Sequence, residues 1–176
     1  RQMCIRDSYK MSGVKLTDIV EKMNLKNLTP EVDITEREVL VPDVNRPALQ
    51  LAGFFDHFDL NRVQIIGNVE CAYLETLAEE KRVEIYQKLL EHKVPCIIFS
   101  NELQPDESFI EIAQKNDIPV FGTCKKTSSF MGELIRWLNV KLAPCISIHG
   151  VLVDVYGVGV LIMGESGIGK SEAALE

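Results

Sequence analysis

The sequence lacks the features that mark a membrane, secreted or metal-cluster protein. No apolar run approaches the roughly 20 residues of a membrane-spanning helix, and no signal-peptide pattern is present. The five cysteines include no C-x-x-C pair, which argues against a metal cluster. We therefore expect a cytoplasmic protein without a membrane partner, in which Cys71, Cys96 and Cys145 are small, reduced core residues.

Positive charge is also scarce. The chain has 19 Lys and Arg residues against 26 Asp and Glu residues, a net charge of −7, and no basic block offsets this excess. A nucleic-acid partner is therefore not expected. The remaining composition, with 46% hydrophobic and 26% charged residues, is ordinary for a globular protein.

One stretch carries a strong chemical signal. It fits the phosphate-loop pattern, in which a glycine and four residues precede Gly-Lys-Ser/Thr, and it consists of Gly164, Glu165, Ser166, Gly167, Ile168, Gly169, Lys170 and Ser171. We predict that its three glycines allow positive φ angles and remove Cβ atoms from the path of a nucleotide. Successive backbone N–H groups can then point inward and bind the phosphates.

Two side chains of this stretch have predicted roles. Lys170 can reach the β- and γ-phosphates, and the Ser171 hydroxyl can ligate Mg²⁺. Glu165 and Ser166 would contribute backbone N–H groups, because the Glu165 carboxylate would repel phosphate. A helix that begins near Lys170 would add its positive N-terminal end. The alternative is a glycine-rich turn with no ligand.

The flanking sequence predicts a strand before the loop and a helix after it. Residues 160–163 are a short apolar run, and residues 171–175 have the composition of a first helical turn. A second apolar run, 151–156, is separated from the first by Gly157. Two strands with so short a link must be antiparallel neighbours. This hairpin argues against a GTPase-like or motor-like fold, in which a parallel strand leads into the loop.

The run 147–160 (SIHGVLVDVYGVGV), closed by 164–171, resembles the bifunctional HPr kinase/phosphorylase family. The resemblance extends upstream through Arg46-Pro47 to Gly53-Phe54 and through residues 62–67. It implies ATP- and Mg²⁺-dependent phosphorylation of a regulatory serine of HPr, the carrier protein of the sugar phosphotransferase system. It also implies phosphorolytic removal of that phosphate, in carbon catabolite regulation. A homo-hexamer and a kinase domain resembling phosphoenolpyruvate carboxykinase around the loop are further implications.

The resemblance assigns further roles to single residues. It places His149 in the active site, where the residues alone leave open a hydrogen-bonded strand histidine. It also makes Lys170 catalytic. The family's base aspartate and later Mg²⁺ ligand would fall beyond Glu176, so we expect a fragment that is inactive alone. Asp154, in mid-strand, is expected to be a sheet-surface carboxylate.

Upstream of the loop, apolar runs alternate with helical patterns. This rhythm predicts a small α/β domain with a mostly parallel sheet and flanking helices. The predicted strands are 39–41, 63–66, 96–99 and 119–122, and the predicted helices are 16–25, 48–55, 70–77, 79–92, one from 105 onward, and 128–140. The expected organisation is a non-native or disordered tail at 1–10, an N-terminal domain at 11–142, and the truncated start of a phosphate-loop kinase domain at 143–176.

Two other functions remain open at this point. One is a metabolite-directed phosphate-loop kinase of the carboxykinase type, which shares the hairpin and loop. The other is a nucleotide-responsive regulatory module without catalysis. The sequence after residue 176 would separate the first of these from an HPr kinase. Nucleotide binding by the intact protein, followed by labelled phosphate transfer to HPr, would test the second.

Overall fold

The computed structural model describes residues 13–144, 150–164 and 167–174. The expected tail at 1–10 lies outside these ranges. The chain divides into two compact units, Arg1–Ala143 (unit 1) and Pro144–Glu176 (unit 2). No helix in the described ranges is both long enough and apolar enough to span a membrane.

The described part of unit 1, residues 13–143, contains seven short strands and six helices. In chain order they are β1 (Val14–Lys15), α1 (Leu16–Met23), β2 (Lys26–Asn27), β3 (Glu38–Val39), β4 (Val44–Asn45), α2 (Ala48–Leu51), β5 (Val63–Ile66), α3 (Asn68–Glu75), α4 (Glu79–Leu90), β6 (Ile97–Phe99), α5 (Glu107–Lys115), β7 (Val120–Gly122) and α6 (Thr127–Lys141).

The central sheet of unit 1 has five strands in the order β2-β7-β6-β5-β4. Strands β4, β5, β6 and β7 are parallel to one another, and β2 pairs antiparallel with β7 at one edge. Each connection between successive parallel strands passes through at least one helix. The predicted mostly parallel sheet with flanking helices is therefore confirmed.

The sheet is buried on both faces, which explains why its strands are continuous apolar runs. On one face Ile65, Ile98 and Phe121 pack with α1 and α6. On the other, Ile66, Phe99 and Val120 pack with α2 to α5. Because side chains alternate along a strand, adjacent residues such as Ile65 and Ile66 belong to different cores.

Several helices of unit 1 are shorter than the sequence predicts. The helix predicted at 16–25 ends at Met23, its N-cap position is Lys15, and no side chain caps it. The helix predicted at 48–55 ends at Leu51, because Gly53 adopts φ +94° and the Phe54 N–H donates to the Leu49 carbonyl at 3.0 Å. This backbone arrangement stops a helix at a glycine.

Unit 2 contains β8 (Gly150–Val155), β9 (Val158–Met163) and α7 (Lys170–Ala173). The two strands form the predicted antiparallel hairpin, and Val155 pairs with Val158 next to its turn. The turn residues Tyr156 and Gly157 have φ values of 52° and 82°. Two positive φ angles suit the two-residue turn that follows the twist of a hairpin.

Candidate functional site

The phosphate-loop segment lies between a strand and a helix, the setting in which such loops bind nucleotides. Strand β9 ends at Met163, Gly164 follows, and α7 begins at Lys170. Three residues assigned to the site, His149, Glu165 and Ser166, lie outside the described residues. Gly164 and residues 167–171 are the described part of the loop.

The described glycines of the loop meet two different requirements. Gly167 and Gly169 have φ values of +84° and +89°, which other residues rarely adopt. Gly164 was also predicted to have positive φ, but it does not. A Cβ atom on Gly164 would lie 3.1 Å from Cγ2 of Ile168, so glycine here avoids a close contact that another residue would relieve by displacing the exposed Ile168 side chain.

Lys170 extends back across the loop. Its Nζ atom donates a hydrogen bond to the Gly164 carbonyl at 2.8 Å, and the residue is half-buried. This contact places the ammonium group beside the first residue of the loop. Ser171, the predicted Mg²⁺ ligand, is exposed on the first turn of α7.

Two further side chains lie in the loop region. The sequence pattern includes Ile168 in the loop without a role for its side chain, and it does not single out Glu172. Ile168 is 70% exposed, although it lies between the two glycines of positive φ. The Glu172 carboxylate reaches back toward the start of α7, so that a Cβ on Gly169 would lie 3.3 Å from it. A residue pattern gives no signal for this approach, because it depends on the turn at Gly169.

Asp154 has a structural contact in the hairpin. Its Oδ1 atom accepts a hydrogen bond from the Gly157 N–H at 2.8 Å, and the residue is exposed. This agrees with the expectation of a sheet-surface carboxylate. Among the described residues, no group of three or more His, Cys, Asp or Glu side chains could hold a metal ion.

The cysteines described in unit 1 are of two kinds. Burial raises the pKa of the Cys96 thiol to about 12, and burial together with the Glu70 charge raises that of Cys71 to about 11. Thiols of this kind are poor nucleophiles at neutral pH, as expected for core residues. Cys124 is exposed, and Cys145 lies outside the described part of the chain.

Comparison with known proteins gives matches along almost the whole chain. The model for the HPr Serine kinase N terminus matches residues 14–138, and the model for the HPr Serine kinase C-terminal domain matches residues 140–176. The two family models thus meet near residue 139, within the last turn of α6.

Relatives named HPr kinase/phosphorylase are similar over nearly the same range. The protein of Lachnoclostridium phytofermentans is 61% identical over 166 residues, which are 94% of this chain and 54% of that protein. The protein of Caldicellulosiruptor bescii is 46% identical over 158 residues, 90% of this chain and 51% of that protein. The chain therefore spans about half the length of these relatives.

A solved structure also aligns with the chain. It contains the CBS and DRTGG domains of the regulatory region of Clostridium perfringens pyrophosphatase, complexed with diadenosine tetraphosphate. The TM-score is 0.48 and the identity 23%, over 81% of this chain and 54% of that one. Similarity at this level does not establish a common fold.

Proposed function

The chain belongs to the HPr serine kinase family, and from this membership we propose that the whole protein phosphorylates a serine of HPr with ATP. We propose further that it removes the phosphate by phosphorolysis, as part of carbon catabolite regulation in the cytoplasm. The observation that carries the proposal is the phosphate-loop segment that follows a β-hairpin, in a chain matched by both family models.

We propose that residues 164–171 bind the phosphates of ATP. The positive φ angles of Gly167 and Gly169 support this role, because they let backbone N–H groups turn toward an anion. Glu165 and Ser166 are assigned the same backbone role. Lys170 would neutralise phosphate charge, since its ammonium group lies 2.8 Å from the carbonyl of Gly164, the first residue of the loop.

A Mg²⁺ ion bound with ATP would offset charge on the β- and γ-phosphates. The residues present fit such an ion, because Ser171 offers an exposed hydroxyl one residue after Lys170. His149 is assigned to the active site by the family resemblance, as a group that can transfer a proton or bond phosphate oxygens at neutral pH.

The organisation of the whole protein is also a proposal. We assign residues 11–142 to an N-terminal α/β domain and 143–176 to the beginning of a kinase domain like that of phosphoenolpyruvate carboxykinase. A homo-hexamer is the expected assembly. The hairpin supports the carboxykinase comparison, because its antiparallel strand β9 leads directly into the loop.

Transfer of labelled γ-phosphate from ATP to HPr by the whole protein tests this function. We expect incorporation into HPr, and none when the acceptor serine of HPr is replaced by alanine. Lys170→Ala should lower the rate by roughly a hundredfold or more, because an electrostatic contact to the transferred group is lost. Lys141→Ala, at the exposed end of α6, is the matched control and should keep the wild-type rate.

Other outcomes would assign another function. Transfer to a small metabolite but not to HPr would favour a kinase of the carboxykinase type. Nucleotide binding without transfer to either would indicate a regulatory module. A Lys170→Ala protein with the wild-type rate would contradict the proposed site.

A further inference from the structure

A cavity of about 330 Å³ lies within unit 1. Part of its wall comes from residues that precede three parallel strands: 60–61 before β5, 93–95 before β6 and 116–118 before β7. Residues in and beside β3 complete the wall. The cavity therefore lies at the amino edge of the sheet, and we call it the amino-edge cavity. The proposed kinase function makes no use of it.

One part of the wall is apolar. Leu40 and Leu60 are 48% and 40% exposed, while Val94 and Ile118 are buried. The cavity is at the small end of the range for ligand sites, which is roughly 300–1,000 Å³. It therefore suits a small aliphatic group better than a nucleotide.

Two cations on the wall have unused hydrogen-bond donors. Arg37 donates from Nε to the Asp33 carbonyl at 2.8 Å and from Nη2 to the Asp117 carbonyl at 2.7 Å. Its Nη1 atom donates to no described residue. Lys93 is exposed and forms no hydrogen bond or ion pair within the described part of the chain. Together these donors can bind a carboxylate.

Acceptors are also present on the wall. Asn116 is the C-cap of α5, where the last carbonyls of the helix carry partial negative charge. Its Nδ2 atom donates to the Ile112 carbonyl at 2.8 Å, which leaves Oδ1 as an acceptor. Asn61 offers a second amide oxygen, because its Nδ2 atom is likewise bonded within the chain. Such a group of acceptors suits a ligand ammonium.

We propose that the amino-edge cavity binds an α-amino acid with an aliphatic side chain, in its zwitterionic form. The two spare donors would bind its carboxylate, the amide oxygens its ammonium, and the apolar wall its side chain. An α-amino acid needs donors and acceptors side by side, because its two charged groups are attached to the same carbon. The cavity meets this need, since Arg37 bonds Asp117, the residue after Asn116.

The charge of the lining disfavours other small ligands. Two cations, Arg37 and Lys93, balance two carboxylates, Glu38 and Asp117. A phosphate ester, with up to about two negative charges, therefore gains no net attraction. A simple amine or carboxylic acid would leave one set of polar groups without a partner. The lining thus favours a ligand that carries both charges.

Calorimetric titration of the 176-residue chain with L-leucine tests the proposal. We expect one leucine to bind each chain. Isocaproate has the same carbon skeleton without the amino group, and isoamylamine has it without the carboxylate. Each should bind more weakly by about tenfold or more, because a hydrogen bond to a charged group is lost. Inorganic phosphate should not compete with leucine.

Paired variants locate the ligand. Lys93→Gln and Leu60→Gln each change one exposed side chain of the cavity, and each should weaken leucine binding by about tenfold. Lys115→Gln removes the same charge from α5 outside the cavity, and Leu49→Gln changes an exposed leucine of α2. Both controls should bind leucine like the wild type. Circular dichroism checks that all four variants fold.

Three results would overturn the proposal. One is no binding of leucine at millimolar concentration. Another is isocaproate, isoamylamine or phosphate binding as tightly as leucine. The third is unchanged affinity in either cavity variant, or an equal loss in its control, which would place the ligand elsewhere. Phosphate transfer to HPr is measured independently, so none of these results bears on the proposed kinase activity.

Discussion

At the scale of single residues, the buried carboxylate of Glu70 connects three parts of unit 1. It accepts two hydrogen bonds from Arg46, at 3.0 and 2.8 Å, and one from the Gly67 N–H at 2.9 Å. The Glu70 side chain is 1% exposed, whereas Arg46 is 38% exposed. The pair joins the end of β4 to the start of α3, at the carboxyl edge of the sheet.

Glu70→Ala should destabilise unit 1 by about 2–4 kcal/mol, because the Gly67 N–H and the Arg46 guanidinium lose their partner. Urea unfolding followed by fluorescence of Trp137 measures this change, since the single tryptophan packs against the unit 1 core. Glu84→Ala is the control, because Glu84 is an exposed partner of Lys81 and Lys88. Equal shifts of the unfolding midpoint in the two variants would contradict the account.

Thiol reactivity gives a second test at this scale. In the folded protein at pH 8, iodoacetamide should label the exposed Cys124 before Cys71 and Cys96. Those two thiols are partly and fully buried, and their pKa values are raised to about 11 and about 12. Mass spectrometry of peptides identifies the labelled positions. Labelling of Cys96 as fast as that of Cys124 would show that β6 is not buried.

The same thiols make stability depend on alkaline pH. A thiol whose pKa is higher in the folded than in the unfolded state stabilises the fold fully at pH values below the unfolded pKa. This contribution is lost as the pH rises from about 9 through the folded values near 11 and 12. Cys96→Ala should reduce this alkaline loss of stability, as measured by unfolding in urea at pH 8 and pH 10.

At the scale of elements, one side chain extends the attachment of the edge strand β2 to the sheet. Thr29 is fully buried just after β2, and its Oγ1 atom accepts the Val120 N–H at 2.9 Å. The hydroxyl thus continues the pairing of β2 with β7 beyond its two residue pairs.

Thr29→Ala should destabilise unit 1 by about 1–3 kcal/mol, because it leaves a buried N–H without an acceptor. Thr29→Ser keeps the hydroxyl and should recover most of this loss. Hydrogen exchange at the Val120 amide measures the effect directly. Unchanged protection in the alanine variant would show that the Thr29 hydroxyl does not hold this edge.

The strands that the sequence predicted are those formed by a nearly continuous run of apolar residues. Strand β5 has its predicted bounds, and β6 and β7 each begin one residue later than predicted. Strands β1, β2 and β4 were missed because a two-residue strand has no periodicity to detect. These strands form only by pairing with residues distant in the sequence. Val14 of β1 pairs with Val39, and Lys26 of β2 pairs with Gly122.

The candidate site was predictable for a different reason. A phosphate loop requires particular residue types at fixed spacing, so the sequence alone indicates the strand, loop and helix around Lys170. The bond from Lys170 to the Gly164 carbonyl and the approach of Ile168 to Gly164 were not predictable. Both depend on the path of the backbone between the glycines, which residue spacing does not specify.

At the scale of the whole molecule, the two units differ in how much of their apolar surface is buried. Unit 1 has a core on each face of its sheet. In unit 2, the hairpin residues Leu152, Val158 and Met163 are 73%, 63% and 63% exposed. A two-stranded hairpin with so little burial is marginally stable in water.

Hydrogen exchange of the 176-residue chain should therefore separate the units. Amides of β5, β6 and β7 should exchange only through global unfolding of unit 1, and those of β8 and β9 much sooner. Mass spectrometry of peptides over a time course distinguishes the two classes. Equal protection in both units would contradict the difference in burial.

The central claim is that residues 164–171 hold the phosphates of a nucleotide. Calorimetric titration of the whole protein with ATP and Mg²⁺ tests it most directly, with Lys170→Ala, Gly169→Val and Lys141→Ala measured alongside. We predict that the wild type and Lys141→Ala bind equally well. The other two variants should bind at least tenfold more weakly, through loss of a charge and through strain at φ +89°. Unchanged affinity in both of those variants would contradict the account.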